Sequence, residues 1–352
     1  MSRKYAAYAG AYTGSGEDAI HIFDVDVEEG ILTKRGSVPS QNATYLHHSS
    51  DGKFLYAAAN EGLVAFAVKE NGDLEELNRI GLDGMSGSYI TVDKSGRYMA
   101  VAGFHDGKVT LVRVLEDGWL GGVLDGVYHK ALGTVGERNF HPRVSCVQMT
   151  PDDKYICAVD NGIDQIKIYK ITKSDKLALV DIVRFKRESG PREICFSPDG
   201  RFAYVLCSLM NCIVVFSYDG SGDVPVFEKL QTVVVSSKDT DELHDVSFSL
   251  CVSEDGKHVF ASTAGEDTVS MFDVDQETGL LTKRFALPIS GEYPKDITLY
   301  PGGKMLACVN NESNTITSFT VDYEKGIIIM KGKPVNVKMP NCLLIAELPS
   351  DN

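Results

Sequence analysis

A pattern of turns and strands recurs along the chain and constrains its fold more than any other feature. Each copy consists of a turn containing Gly or Asp, an apolar strand, a polar loop and a strand of alternating polarity. A further turn then opens an outer strand, which gives about four strands per copy. Four-stranded units with a period near 50 residues are typical of the blades of a β-propeller. The copies begin at Ser50, Lys94, Pro151, Pro198, Glu254 and Pro301.

The two ends of the chain complete the repeat. The N-terminal segment KYAAYAGAYTGSGEDAIHIFDV is a partial seventh copy without a leading strand, and the apolar C-terminal segment MPNCLLIAEL has no strand partner of its own. Pairing these segments would close a ring and remove most of its exposed sheet edges. We therefore predict an all-β fold, a seven-bladed β-propeller of four-stranded antiparallel blades closed by pairing of the N- and C-terminal strands. The repeats use nearly all of the 352 residues, so we expect a single domain over residues 1–352, with loop insertions around 126–142 and 233–249.

The charge balance argues against several classes of partner. The chain has 35 Lys and Arg residues against 49 Asp and Glu residues, which gives a net charge of −14. Such a surface repels phosphate backbones and anionic lipid headgroups, so we expect no nucleic acid and no membrane as partner. No apolar run suggests a spanning helix, and the N-terminal segment is a poor signal peptide. Since no exposed apolar stripe argues for an oligomer, we expect a monomer.

The eight cysteines are more informative about the cellular compartment of the protein than about its fold. Most lie inside apolar runs such as EICFS and FSLCVS, where a thiol behaves as a small buried hydrophobe. No pair has the spacing of a zinc ribbon, so no metal site is expected. We predict core cysteines in a reducing, cytoplasmic compartment. The sequence also has no Gly-rich phosphate loop and no serine-nucleophile elbow, and we expect no cofactor.

Candidate functional residues follow from where propellers bind their ligands. They do so in the central channel or on one face, where the innermost strands meet their connecting loops. Two segments in such places put polar groups beside a proline: FHPRVS, with His141 and Arg143, and SGPREI, with Arg192 and Glu193. Strand ends add further candidates for substrate binding, some of which are also good turn formers. These are His105, Asp160, Asp164 and Asn310.

The segments HPRVSCVQMTPDDKYICAVDNGIDQIKIY and SGPREICFSPDGRFAYVL resemble the lactonase family of seven-bladed propellers, and the similarity extends over nearly the whole chain. That family includes 6-phosphogluconolactonases of the propeller type and fungal carboxymuconate-lactonizing enzyme. The resemblance implies a small-molecule lactone or anionic sugar as partner. It also implies a site built on a His before Pro, at His141, and on the Arg of a Gly-Pro-Arg motif, at Arg192.

Several positions depart from the pattern of that family. Glu193 stands where a His usually follows the Arg, and Ser208 and Ala264 stand where a Glu and a second Arg are usual. Lys295, in the motif YPKD, replaces a common Arg. Two of the four polar groups associated with the family's lactone site are therefore absent. Three carboxylates could compensate for the Glu, namely Glu193, Asp160 and Asp164.

The chemistry of lactone opening assigns roles to the remaining groups. Hydrolysis needs a base that activates water and donors that stabilise the oxyanion. We expect His141 to act as general base or acid, because imidazole exchanges protons near neutral pH, and Arg192 to bind the anionic substrate or the oxyanion. The predicted function is a cytoplasmic lactonase acting on a sugar lactone such as 6-phosphogluconolactone. Two alternatives stay open: a non-catalytic propeller that binds a small anion or a protein, and a lactonizing cycloisomerase of the carboxymuconate type.

Overall fold

A computed structural model of the chain describes residues 4–14, 17–60, 62–130, 141–237 and 245–349. Within these ranges the chain forms 28 strands in seven four-stranded antiparallel sheets and no helix, which confirms the predicted all-β propeller. In chain order the strands are β1 Tyr5–Ala11, β2 Asp18–Asp26, β3 Ile31–Pro39, β4 Tyr45–His48, β5 Phe54–Ala59, β6 Gly62–Val68, β7 Leu74–Ile80, β8 Tyr89–Val92, β9 Tyr98–Ala102, β10 Lys108–Val114, β11 Leu120–Tyr128, β12 Val144–Met149, β13 Ile156–Asp160, β14 Gln165–Ile171, β15 Leu177–Arg184, β16 Pro191–Phe196, β17 Phe202–Cys207, β18 Cys212–Asp219, β19 Val226–Val234, β20 Val246–Val252, β21 His258–Ala264, β22 Thr268–Val274, β23 Leu281–Pro288, β24 Pro294–Leu299, β25 Met305–Asn310, β26 Thr315–Asp322, β27 Ile327–Asn336 and β28 Pro340–Glu347.

The ring is closed as the sequence predicts. Among the described strands, six sheets use four strands that follow one another in the chain, whereas the remaining sheet combines β28 with β1, β2 and β3. β28 pairs antiparallel with β1 in a register that sets Tyr8 opposite Leu344. The last strand of the chain therefore supplies the leading strand that the N-terminal repeat lacks.

The innermost strands surround a central channel. They are β28, β4, β8, β12, β16, β20 and β24, and each contacts the corresponding strand of the next blade. Contact between β28 and β4 completes the circle. Side chains that these strands direct toward the axis line the channel, so any ligand within it meets residues from several blades.

Apolar side chains pack between neighbouring blades and hold the ring together. Within the described residues, seven hydrophobic clusters lie between adjacent blades. The cluster between the closing blade and the next one contains the fully buried Tyr8, Ile20, Leu55 and Phe66. Burial of each such side chain contributes about 1.5–3 kcal/mol. The middle strands of each blade are apolar on both faces because both faces are covered.

The cysteines, the two loop insertions and the question of a membrane-spanning helix can also be compared with the predictions from the sequence. The eight cysteines are free thiols, six of them buried and Cys195 and Cys251 half-buried, as expected for core cysteines. The two predicted loop insertions lie partly outside the described residues, at 131–140 and 238–244. In the described part of the chain no helix is long and apolar enough to cross a membrane.

Candidate active site

Bulges in the inner strands turn selected side chains toward the channel. The register of β16 against β17 shifts between Pro191 and Glu193, so Arg192 has no partner in the ladder. The register of β24 against β25 shifts in the same way around Lys295. Comparable shifts occur in β12 and β20. Because a bulge bends its strand and re-aims the extra side chain, these irregularities bring two cations from different blades to one channel.

The side chains at the N-terminal ends of the inner strands line a cavity of about 520 Å³. Its charged groups include Arg192, Glu193, Lys295 and Asp296. Aromatic rings make up much of the wall, and two of them, from β4 and β8, stack with centroids 3.9 Å apart. Such a wall offers flat apolar surfaces beside a few charged groups, which suits a sugar that carries an anionic group. The aromatic residues are Tyr12, Tyr45, Tyr89, Phe104, Phe248 and Tyr293.

Arg192 is held in place by contacts that leave its outer nitrogens available. Its Nε donates to the carbonyl of Phe248 at 3.0 Å, and its guanidinium carbon lies 4.1 Å from the centre of the Phe248 ring. Among the described residues, no hydrogen-bond acceptor engages its two terminal nitrogens. A guanidinium fixed on one side in this way can present its free fork to a carboxylate, a phosphate or an oxyanion.

Lys295 supplies a second positive charge to the cavity. Its Nζ donates to the hydroxyl of Tyr12 at 3.2 Å and lies 4.3 Å from the centre of the Tyr12 ring. Burial, and then the neighbouring charge of Arg192, lowers the pKa of Lys295 to about 8. The two cations therefore repel each other, and an anionic ligand bound between them would reduce this repulsion.

Two carboxylates line the same cavity. Glu193 Oε2 accepts a hydrogen bond from the backbone N–H of Leu250, and Asp296 Oδ2 accepts one from Leu343, both at 2.8 Å. Burial, and then the charge of Asp296, raises the pKa of Glu193 to about 8. Burial raises the pKa of Asp296 to about 6. Of the two carboxyl groups, Glu193 is therefore the one that burial and the neighbouring charge favour more strongly as the neutral acid.

Tyr293 occupies a strained backbone conformation beside the cation pair. Its φ is +60°, in the left-handed region that bulky residues rarely adopt, and it precedes Pro294. Its ring centroid lies 4.9 Å from that of Phe248, which in turn faces Arg192. Strain of this kind persists only where the surroundings enforce it, and it often marks a functional site.

The structure brings only some of the sequence-predicted residues together. Arg192, Glu193 and His105 line the cavity. His141 is exposed and is not among the residues that line it. His141, which precedes β12, is therefore not placed beside Arg192 in this cavity. Its role as general base or acid stays a prediction.

Asp160, Asp164 and Asn310 lie within the protein and do not line the cavity. Asp160 accepts hydrogen bonds from the backbone N–H groups of Arg143 and Gly162. Asp164 accepts hydrogen bonds from loop N–H groups at 188 and 190, and Asn310 donates to threonine hydroxyls at 315 and 317. These contacts fix loops and strand ends, and substrate binding by these residues stays a prediction.

Comparison with known proteins decides the family. A family model described as lactonase, seven-bladed β-propeller, matches residues 6–345. The chain belongs to this family. Among the relatives of this lactonase-family chain, a 6-phosphogluconolactonase from Bacillus subtilis is 30% identical over 348 residues, covering 97% of this chain and 98% of that protein. The structure of a periplasmic gluconolactonase from Pseudomonas aeruginosa matches with a TM-score of 0.91 and 25% identity, covering 98% of this chain and 99% of that one.

Two of the positions where this lactonase-family chain departs from the family pattern, Ser208 and Ala264, lie in the protein interior. Ser208 is buried, and its hydroxyl donates to the carbonyl of Gly190 at 3.0 Å and accepts from Asn161 at 2.9 Å. Ala264 is buried at the end of β21. Neither residue lines the cavity, so the groups that could replace the usual Glu and Arg are Glu193, Asp296 and Lys295.

Sequence reasoning noted Lys295 only as a departure and missed Asp296 altogether. The sequence did contain a signal for Asp296, because residues 191–194 read PREI and residues 294–297 read the similar PKDI. Both segments begin an inner strand, and each places a cation and a carboxylate side by side at a bulge. Within the described ranges, no group of three or more His, Cys, Asp or Glu side chains is arranged to hold a metal ion.

Proposed function

We propose that this protein hydrolyses a sugar lactone that carries an anionic group. The observation that carries the proposal is the convergence of Arg192 and Lys295 with two carboxylates in one cavity with aromatic walls. The reaction class is supported by the lactonase family and by the activity in the name of the Bacillus subtilis relative. A net charge of −14 does not oppose an anionic substrate, because the local cations act at shorter range than the distant surface charges.

Three of the charged groups, Arg192, Lys295 and Asp296, have a task in this reaction. The fork of Arg192 and the ammonium of Lys295 bind the anionic group of the substrate or the oxyanion that forms at the lactone carbonyl. Asp296, ionised near neutral pH, takes a proton from water as the water oxygen attacks that carbonyl. The aromatic rings bind the C–H faces of the sugar and exclude water. Bond formation at the carbonyl carbon is then followed by cleavage of the bond to the ring oxygen.

Substrate preference tests this assignment. We expect kcat/KM for 6-phosphogluconolactone to exceed that for the unphosphorylated gluconolactone by about tenfold or more, since a charge-assisted hydrogen bond contributes about 1.5–3 kcal/mol. Initial rates would be measured with a pH indicator and corrected for spontaneous opening. Equal rates for both lactones would argue against recognition of an anionic group. If neither lactone opened faster than in buffer, a binding protein would be the better description.

The same assay decides the predicted role of His141. Its position outside the cavity leads us to expect that His141→Ala keeps kcat within about threefold of wild type, because a group that transfers a proton in the transition state is worth about 10²–10⁴-fold. A hundredfold loss in this variant, with the fold intact by circular dichroism, would instead make His141 the general base and remove that task from Asp296.

Tyr293→Gly separates stability from activity. Glycine accepts a φ of +60° without strain, so we expect a free energy of unfolding within about 1 kcal/mol of wild type. We also expect kcat/KM to fall by about 10- to 100-fold, because Phe248, whose ring faces Arg192, loses the ring that packs against it. Urea unfolding and lactone hydrolysis measure the two quantities. Unchanged activity together with a large loss of stability would show that Tyr293 only supports the fold.

We also propose a cytoplasmic location. The support is the set of eight free cysteines, since reducing compartments keep thiols unpaired. Cell fractionation followed by immunoblotting would test it, and recovery of the protein outside the cytoplasm would refute it.

A further inference from the structure

Glu193 occupies an unusual place in the cavity. Its strand, β16, carries Arg192 as the preceding residue, so a cation and a carboxyl group enter the cavity from the same bulge. One carboxyl oxygen accepts from the Leu250 N–H at 2.8 Å, whereas the other lies 3.5 Å from the Tyr89 hydroxyl. Only one of its oxygens therefore has a short hydrogen bond, the contact of the second oxygen with Tyr89 is long, and the residue lines the cavity.

Asp296 is stabilised differently from Glu193. Its Oδ2 accepts from Leu343 N–H at 2.8 Å, and its Oδ1 accepts from the Ser249 hydroxyl at 3.0 Å. Both oxygens are thus engaged by donors, which favours the ionised form. Two interacting carboxyl groups in one buried site rarely ionise together, and the proton favours the one whose hydrogen bonds are weaker. That group is Glu193, because its contact with Tyr89, at 3.5 Å, is the longest of the four.

The titratable groups around Glu193 leave few other sources of charge. Burial keeps the neighbouring tyrosines and cysteines neutral by raising the pKa of each. Arg192 and Asp296 are then the charged neighbours, with opposite effects on the proton of Glu193. By element, the titratable and charged neighbours are Arg192 and Cys195 on β16, Tyr45 on β4, Tyr89 on β8, Cys146 on β12, Cys251 on β20 and Asp296 on β24.

We propose that Glu193 is a catalytic residue, which holds a proton between turnovers and donates it to the ring oxygen of the opening lactone. The proposal rests on the proposed function and adds the general acid to it. Attack of water places one water proton on Asp296 and the new oxygen on the carbonyl carbon. Collapse of the tetrahedral intermediate breaks the bond between that carbon and the ring oxygen, which takes the proton of Glu193. The product carboxyl group then releases its proton to solvent, and the proton on Asp296 returns to Glu193.

The matched variant for this role is Glu193→Gln. Gln keeps an oxygen that can accept from the Leu250 N–H, so a purely structural role survives the change, but it has no acidic proton to give. We expect kcat for 6-phosphogluconolactone to fall by about 100-fold or more with KM within about threefold. The wild-type pH profile should be bell-shaped, because activity needs Asp296 ionised and Glu193 protonated, and the alkaline limb should disappear in Glu193→Gln. The control is Glu116→Gln, in an exposed turn between β10 and β11.

Lys295 offers a second explanation for an alkaline limb, since burial lowers its pKa to about 8 as well. Lys295→Arg separates the two, because arginine stays charged at alkaline pH. If Glu193 is the acid, the activity of Lys295→Arg still falls at alkaline pH. Loss of the limb in Lys295→Arg and its retention in Glu193→Gln would overturn the proposal.

An infrared measurement on the substrate-free protein makes the test independent of turnover. The difference spectrum of wild type minus Glu193→Gln should contain the C=O stretch of a protonated carboxylic acid at pH 7, and that band should vanish at more alkaline pH. Its absence at pH 7 would overturn the proposal. Hydrolysis by the wild type with an unchanged Glu193→Gln variant would overturn the catalytic step alone, whereas no hydrolysis by the wild type would overturn the proposed function itself.

Discussion

Arg192→Ala is expected to lower kcat/KM for 6-phosphogluconolactone by about 10³-fold. Removal of one donor to an oxyanion costs about 10²–10³ in kcat, and loss of a cation that binds the substrate adds to this. The side chain is half-buried and contacts Phe248 through Nε and the guanidinium plane, so its deletion changes both the charge and the position of that ring. Steady-state hydrolysis rates on purified protein would measure the effect.

Two companion variants show whether the loss arises from the fork of the guanidinium. Arg192→Lys keeps the charge without the planar fork, and we expect an intermediate loss of about 10- to 100-fold. Arg201→Ala removes an arginine from an exposed turn, where it pairs with Asp199, and should leave the rate unchanged. A rate in Arg192→Ala within about threefold of wild type would exclude Arg192 from the reaction.

Glu193→Gln is also expected to change how stability depends on pH. Burial, and then Asp296, raises the pKa of Glu193 from 4.5 to about 8, so the folded state holds this proton more tightly than the unfolded state. The stability that the neutral carboxyl contributes is therefore fully present below about pH 4.5 and is lost as pH rises through about 8. The slope over this range is at most about 1.4 kcal/mol per pH unit. Gln does not titrate, so the variant should gain more than about 2 kcal/mol on wild type between pH 5 and pH 9.

Urea unfolding at the two pH values measures this gain as a change in the difference between the proteins. The difference in the free energy of unfolding between the two proteins cancels the contribution of every other group that titrates alike in both, including Asp296. Glu116→Gln, at the surface, should follow wild type at both pH values. Parallel curves for wild type and Glu193→Gln would show that Glu193 is ionised in the folded protein at pH 7.

The fold could be predicted from the sequence because it depends on local signals that repeat. Turns at a period near 50 residues mark each blade, and the apolar segment around Leu343 and Leu344 had no possible partner except the N-terminal copy. The pairing of β28 with β1 confirms that inference. A single blade would leave both of its faces exposed, so neighbouring blades must cover them. The apolar composition of the strands and the period of the turns are therefore enough to predict the propeller.

The candidate site was less accessible because it depends on bulges and on contacts between blades. No local signal in the sequence states that the register shifts at Arg192 and Lys295, yet those shifts aim both side chains into the channel. A position in a family motif suggested His141, which lies before its strand begins and does not line the cavity. The similarity of PKDI to PREI was the one signal for Asp296 in the sequence, whereas its hydrogen bond from Ser249 depends on the packing of β24 beside β20.

The most direct test of the central claim is the hydrolysis of 6-phosphogluconolactone at pH 7 by the wild type and by the double variant Arg192→Ala/Lys295→Ala. If the cavity is the reaction site, the wild type gives a saturable rate well above spontaneous opening, and the folded double variant gives the spontaneous rate alone. A wild-type rate no greater than that in buffer, or a double variant as active as wild type, would contradict the assignment of this cavity as a lactonase site.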